Sequence, residues 1–303
     1  MRPEWSRPAA PRRCARRAAL MPGALFALLL TAGLAAPPAA ATAAKPVTVV
    51  VCAPGYPGTT VEAQPAMDAL AAAAAAAAGW KAGELAAVYF ENEQHGLDRL
   101  ARADAAVALV PLPFWLKHRG ALKLDPQLQA VQEGGQPAER WSLVAGTGMV
   151  TGPSGLAGFE IISLAGYASR FVRGPALDGW GDLPPTVTVT FSNAVLTGLR
   201  RASAGTRVAL LLDREQAAAL PALPFAAKLE VVTRSTPLPV SVLCLVGGRL
   251  PAARLKALVS GLTSLGATPS GAEALAGVRL ARFVEPDQRA LTVAADSYAR
   301  ARD

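Results

Sequence analysis

Val47-Thr48-Val49-Val50-Val51-Cys52, Leu85-Ala86-Ala87-Val88-Tyr89-Phe90 and Ala105-Ala106-Val107-Ala108-Leu109-Val110 decide how this chain reads. Each run is short, apolar and closed by a turn signal, the mark of a buried strand. Between the first two lies a helical stretch from about Val61 to Ala78. It carries eight consecutive alanines and ends at Gly79, a helix-stopping residue. A shorter helix is expected over Leu97–Ala103. Strand, helix, strand, helix, strand means a parallel sheet covered by helices. Ligands of such sheets lie beyond the carboxyl ends of the strands. That rule selects two loops, Pro54–Thr60 and Pro111–Trp115.

Downstream, Leu128–Val131 and Trp141–Val144 are short strand candidates. From Leu156 to Ser163 a fresh strand–helix pattern begins, with a helix over Ala165–Val172 and a strand over Thr186–Phe191. Ser192-Asn193 open a helix to Arg201, and Val208–Leu212 is a strand ending at Asp213. Leu229–Val232 and Val240–Val246 are the last strands before a set of terminal helices. Two successive sets and a return strand imply two lobes, the first built from both chain ends. The expected boundaries are 44–143 with 245–303 for lobe I and 144–244 for lobe II. The strands near 141–146 and 240–246 are the expected hinge crossings.

The chain has a formal net charge of +8, which by itself suggests a polyanion partner. Residues 1–44, however, hold six arginines against one glutamate, leaving about +3 elsewhere. The basic start, the apolar stretch Ala18–Ala36 and the small-residue end Ala41-Thr42-Ala43 have the layout of a secretory signal peptide. We therefore expect residues 1–43 to be a signal peptide cleaved near Ala43, the protein to be periplasmic, and nucleic acid not to be its partner. The alternative for this stretch is an uncleaved anchor. Cys52 and Cys244 remain after cleavage, and an oxidising compartment leaves both a disulfide and two buried thiols open. With only His95 and His118 and no ligand spacing, neither a metal site nor a cofactor is expected. No nucleophile elbow, zinc-protease helix or P-loop occurs.

The order of features resembles the type II periplasmic solute-binding proteins, specifically the phosphate/phosphonate-type group that serves ABC transporters. The turn Leu156-Ala157-Gly158 resembles that family's entry into its second lobe. Val195-Leu196 followed by Gly205 and Val208–Asp213 resembles its helix–glycine–strand signature. Ser235-Thr236-Pro237-Leu238-Pro239 resembles its return segment, and Arg282-Phe283-Val284 with Tyr298 its ending. The resemblance implies an α/β, two-lobed (Venus-flytrap) fold, each lobe a mixed sheet flanked by helices. It further implies a monomer, not an enzyme, that captures a small, anionic ligand and docks on an ABC permease of the inner membrane. One segment departs from the pattern. The family's anion-binding Ser-x-Ser-Gly turn is only partly matched by Ser163-Leu164-Ala165-Gly166-Tyr167-Ala168-Ser169. A sensor or accessory protein of the same fold and a secreted enzyme using the cleft stay open as alternatives.

Helix N-termini expose unpaired N–H groups and a positive dipole end, so hydroxyls beside them mark anion sites or ordinary caps. Thr59 and Thr60, Ser163 and Ser169, and Ser192 with Asn193 are the candidates of this kind. Gly166 and Tyr167 belong to the same second-lobe turn. Tyr56, Phe114 and Trp115 are candidate walls of a pocket. Asp213 is a candidate acceptor for a ligand amine or hydroxyl, or the cap of a following helix.

Overall fold

The computed structural model describes residues 46–302, so the expected signal peptide and its cleavage site lie outside the described residues. The chain opens with β1 (Val47–Cys52), α1 (Thr60–Ala77), β2 (Leu85–Phe90), α2 (Glu93–Leu100) and β3 (Ala105–Pro111). Then come α3 (Leu112–Leu122), β4 (Leu124–Gln132), a two-residue β5 (Ala138–Glu139), β6 (Ser142–Gly146) and β7 (Glu160–Ser163). Next are α4 (Ser169–Arg173), β8 (Thr188–Phe191), α5 (Val195–Ser203), β9 (Val208–Leu212), α6 (Arg214–Ala219) and β10 (Leu229–Arg234). The rest is β11 (Leu238–Pro239), β12 (Ser241–Val246), α7 (Ala252–Ser264), α8 (Pro269–Gly277), β13 (Leu280–Val284) and α9 (Gln288–Arg300).

These strands form two mixed sheets. The first runs β13-β4-β12-β3-β1-β2 and the second β10-β6-β9-β7-β8. Parallel pairs join β1 to β2 and β3, and β7 to β8 and β9, as the strand–helix alternation requires. The strands β12 and β6 run antiparallel beside them. Central strands are buried on both faces, which is why β3 and β9 read as unbroken apolar runs. The edge strand β8 is threonine-rich and half exposed.

On one face of the first sheet, Met67 and Leu70 of α1, Leu258 of α7 and Leu275 of α8 cover Val49, Leu109 and Ala130. On the other, Leu100 of α2 with Phe114 and Leu116 of α3 cover Val50, Ala108 and Val242, and α9 packs against α3 and α4. That second core runs on without interruption into Leu143, Ile161, Phe171 and Leu211 of the second sheet region.

Several expectations are corrected here. Phe114 and Trp115 are not loop residues; they sit in the first turn of α3, 0 % and 4 % exposed. Pro113 hid this helix, although a proline in a first turn forfeits no helical hydrogen bond. The helix read over Ala165–Val172 is shortened to α4, and α2 begins at Glu93, capped by Asn92. The chain crosses between sheets at β5 and β11, which pair antiparallel through Glu139–Leu238 and Ala138–Pro239. Ser142–Gly146 and Ser241–Val246, read as the crossings, each lie whole within one sheet. Cys52 and Cys244 are both free and buried. They lie on strands separated by β3, with Cys244 level with Val50. Two strand spacings make about 10 Å, beyond the ~7 Å a disulfide spans.

Candidate functional site

The carboxyl ends of β1 and β3 meet the second lobe along one seam. The loop after β1 turns at Gly55, whose φ of 81° is the left-handed region that favours glycine. A Cβ there would come within 2.9 Å of Leu164 and of Phe191, so the loop lies directly on the second lobe. One residue on, the Tyr56 hydroxyl donates across the seam to Asp213 Oδ2 at 3.4 Å. Asp213 also caps α6, with Oδ1 accepting from the Gln216 amide at 2.8 Å. The capping reading of this aspartate is thus seen directly, and its other oxygen is taken by Tyr56 of the protein itself.

Beside Asp213 lies Glu139 of β5, 6 % exposed. Its Oε2 accepts from the Arg214 amide at 3.2 Å. Burial, then the Asp213 charge, pushes its carboxyl up to about 7. Burial raises Asp213 as well, and raises the Tyr56 phenol far above its ordinary range with help from the Asp213 charge. Arg214 reaches back over the crossing to Gln132 Oε1 at 3.3 Å. The crossing side of the seam is thus an acid pair held by a tyrosine and an arginine, one contributed from each side.

The other end of the seam is built on α2 and α3. Lys117 Nζ lies 2.9 Å from Glu93 Oε1, and His118 Nε2 lies 2.7 Å from the same oxygen. Burial pushes the Glu93 carboxyl up, but the hydrogen bonds from His118 and Lys117 outweigh it and leave it below the ordinary value. Lys117 also donates to the Tyr167 carbonyl at 2.7 Å, tying α3 to the second lobe. The Tyr167 ring meets Phe191 edge-on at 5.8 Å. Its hydroxyl is buried and makes no hydrogen bond of ordinary geometry. Burial drives its titration well above 10, with the Phe114 amide acting weakly in the opposite sense. That amide belongs to the first turn of α3, which has no side-chain cap.

Of the residues singled out in the sequence, Tyr56, Gly166, Tyr167 and Asp213 come together on this seam. Gly166 packs so tightly on β8 that a Cβ would press into the Thr190 carbonyl and the Phe191 amide. Ser163 is 1 % exposed, its hydroxyl donating to Leu211 O at 2.7 Å and accepting from the Ala165 amide at 3.1 Å. Thr59 forms a capping box with Glu62 at the solvent-facing start of α1. Thr60 donates to Glu91 at 3.4 Å, and Ser192 accepts from the Ala194 amide at 3.1 Å. Asn193 is exposed, and Ser169 opens the five-residue α4. Phe114 and Trp115 serve the core; the indole N–H donates to Leu124 O at 3.3 Å. Glu139, Glu93 and Lys117 escaped the sequence reading, because single charged residues near strand ends carry no local signal. The His118 side chain is 14 % exposed and lies against Glu93 and the Phe114 ring.

A third set of contacts fixes the C-terminus to the second lobe. Arg170 of α4 donates to Ala301 O at 2.8 Å and Ala299 O at 2.7 Å, with its guanidinium 4.9 Å from the Tyr298 ring. Ser297 and Arg300 both reach Asp178, at 3.0 and 3.2 Å.

No family model matches this sequence, and no curated protein matches it at sequence level. Solved structures do match in fold. The Xanthomonas citri protein XAC2383, solved bound to a chloride ion, superposes with a TM-score of 0.64 at 15 % identity, covering 84 % of this chain and 97 % of that one. A binding protein component of an ABC phosphonate transporter from Pseudomonas aeruginosa gives 0.57 at 13 % identity, covering 82 % and 83 %. PhnD1 from Prochlorococcus marinus, in complex with methylphosphonate, gives 0.55 at 13 % identity, covering 81 % and 95 %. With its two mixed sheets, each flanked by helices and joined by a short double crossing, this chain has the two-lobed fold of the type II periplasmic binding proteins.

Proposed function

We propose that this chain is an exported, monomeric solute-binding protein, not an enzyme. It takes a small anionic ligand between two lobes and delivers it to an ABC permease. The lobes are bodies built around the two sheets, hinged at β5 and β11, near the boundaries expected at 143/144 and 244/245. The observation that carries the reading is the uncapped first turn of α3 at the seam, with Lys117 one turn on and the unsatisfied Tyr167 hydroxyl against it. In that turn the Leu112 amide donates to Val240 O and Pro113 has no N–H, which leaves the Phe114 amide, at the positive dipole end of an 11-residue helix, facing the Tyr167 hydroxyl. Parting of the lobes withdraws Tyr167 and frees the Phe114 amide for a ligand oxygen. Reclosure then buries the ligand.

The test is a thermal-shift screen of the purified protein with phosphate, methylphosphonate, sulfonates, amino acids and thiamine. A ligand of the native state raises the melting temperature with dose, by about 2.7 kcal/mol of stabilisation at a hundred times Kd. A response confined to one anion class, weakened at least about tenfold in affinity by Lys117→Met, supports the proposal. A response to neutral or cationic compounds alone defeats the anion assignment.

A second reading has one specific observation behind it. Leu164, Tyr167 and Phe191 already pack the seam against Gly55 and α3. That arrangement suits a sensor or accessory protein whose lobes stay shut. Small-angle scattering separates the two: a transporter-type binding protein changes its radius of gyration with ligand, and a permanently shut one does not.

A further inference from the structure

We propose a second binding site, inside the first lobe, that takes a small amphipathic carboxylic acid with an alkyl or aromatic body. This goes beyond the interlobe reading and does not depend on it, because no residue of the second sheet lines the site. A cavity of about 390 Å³ lies between α1, the first sheet and the turn from α8 into β13. Val51, Leu109 and Ala130 form its floor, Ala63, Ala66, Met67 and Leu70 its roof. Tyr56 and Tyr89 close one end, the Tyr89 hydroxyl donating to Tyr56 O at 3.2 Å.

The space exists because small residues face one another: Ala63 and Ala66 on the helix, Ala130 on the sheet and Gly277 at the turn. Protein interiors are ordinarily packed as densely as organic crystals. An apolar cavity of only about 150 Å³ already takes up benzene. The present one has room for a ring or chain with a polar head.

The head is chosen by the mouth, where the exposed lining residues Gly58, Glu62, Gly277 and Arg279 stand. Glu62 is turned toward its own helix start: its Oε2 accepts from the Thr59 amide at 2.9 Å and the Thr59 hydroxyl at 3.0 Å. Arg279 makes no ion pair among the described residues. It stands just past α8 with φ of 58°, where the backbone favours glycine. Its amide and carbonyl are used by Ala276 and Glu133, so its conformation is fixed while its guanidinium is free to meet a carboxylate. Left-handed non-glycine residues at ligand clamps are a known place for stored strain. On the sheet side, Gln132 and Ser241 add neutral polar groups.

The test is calorimetric titration of the purified protein with octanoate, 3-phenylpropionate and octan-1-ol. The acids bind saturably and the alcohol binds at least about tenfold more weakly, the difference expected of a charge-assisted contact. Arg279→Gly removes the acid preference while melting no lower than the parent, since glycine accepts this φ freely. Loss of preference in that variant therefore is not a folding defect. Ala66→Leu fills the cavity and abolishes binding of all three probes. Tyr167→Phe, at the lobe seam, leaves acid binding unchanged, which separates this site from the interlobe one. The proposal is overturned by the absence of saturable binding up to about 5 mM. It is equally overturned by unchanged binding in Ala66→Leu, or by an acid preference that survives Arg279→Gly.

Discussion

Gly166 and Thr59 were drawn from the same kind of sequence signal, a small or hydroxyl residue at a loop-to-helix junction, yet they carry different burdens. A methyl at Gly166 has nowhere to go but into the backbone of β8. Gly166→Ala is expected to cost about 2 kcal/mol or more, because backbone rather than a flexible side chain must give way. Thr59→Ala is expected to cost only about 1 kcal/mol, the worth of a cap at an exposed helix start, and to leave ligand affinity unchanged. Urea denaturation of both variants checks the pair; equal effects would contradict this ranking. The same contrast explains what the sequence disclosed at this scale. Asp213 was legible because a strand ending in Asp is a familiar junction, and it does cap α6. Its second role, receiving the Tyr56 hydroxyl, joins residues far apart in the chain. Ser163 looked like a ligand hydroxyl, but both its hydrogen-bonding capacities are spent inside the second sheet.

Strands and helices were legible where pattern alone decides them. β1, β2, β3 and β9 announce themselves as apolar runs ended by turns, and α1 by its alanines. The helix α3 was not read, and α6 only through its cap at Asp213. The first opens on Leu-Pro-Phe-Trp, which resembles a loop, and the second has six residues, too few for periodicity. Nor did the clamp between α4 and α9 show itself, since its partners stand more than a hundred positions apart. Arg170 satisfies two carbonyls at the end of α9, where a cation also complements the helix dipole. Arg170→Ala is expected to cost about 1–3 kcal/mol, as for hydrogen bonds to a charged group. Hydrogen exchange would then accelerate in residues 295–301 and 169–178 while β1 and β3 stay protected. Uniform acceleration throughout the chain would argue against a local clamp.

For the whole molecule, the acid pair at the crossing sets a pH dependence. In the folded chain Glu139 holds its proton up to about 7, because of burial and the neighbouring Asp213; its ordinary value is 4.5. Between those values folding takes up a proton, so stability falls as pH rises through that window, by about 3 kcal/mol in all. The buried, raised Asp213 acts in the same direction. Glu93 and Asp104, held low by their cationic partners, act only at more acid pH. Glu139→Gln keeps an acceptor for the Arg214 amide and removes the charge. It is expected to flatten the profile between pH 5 and 7 and to stabilise the protein at pH 8. Denaturation at pH 5 and pH 8 for both forms decides it, and an unchanged slope would refute the assignment. The placement of β12 between β3 and β4 has a further consequence, for the order in which the chain is assembled. The second sheet draws all its strands from one unbroken stretch and can form as soon as that stretch is available. The first sheet has a gap at its centre until Ser241–Val246 arrives, and everything from 133 to 240 must first be looped out. Loop closure of that length is entropically uphill, and pairing of such sequence separation is slow. The second lobe is therefore positioned to fold first, and the lobe that begins the chain to finish last.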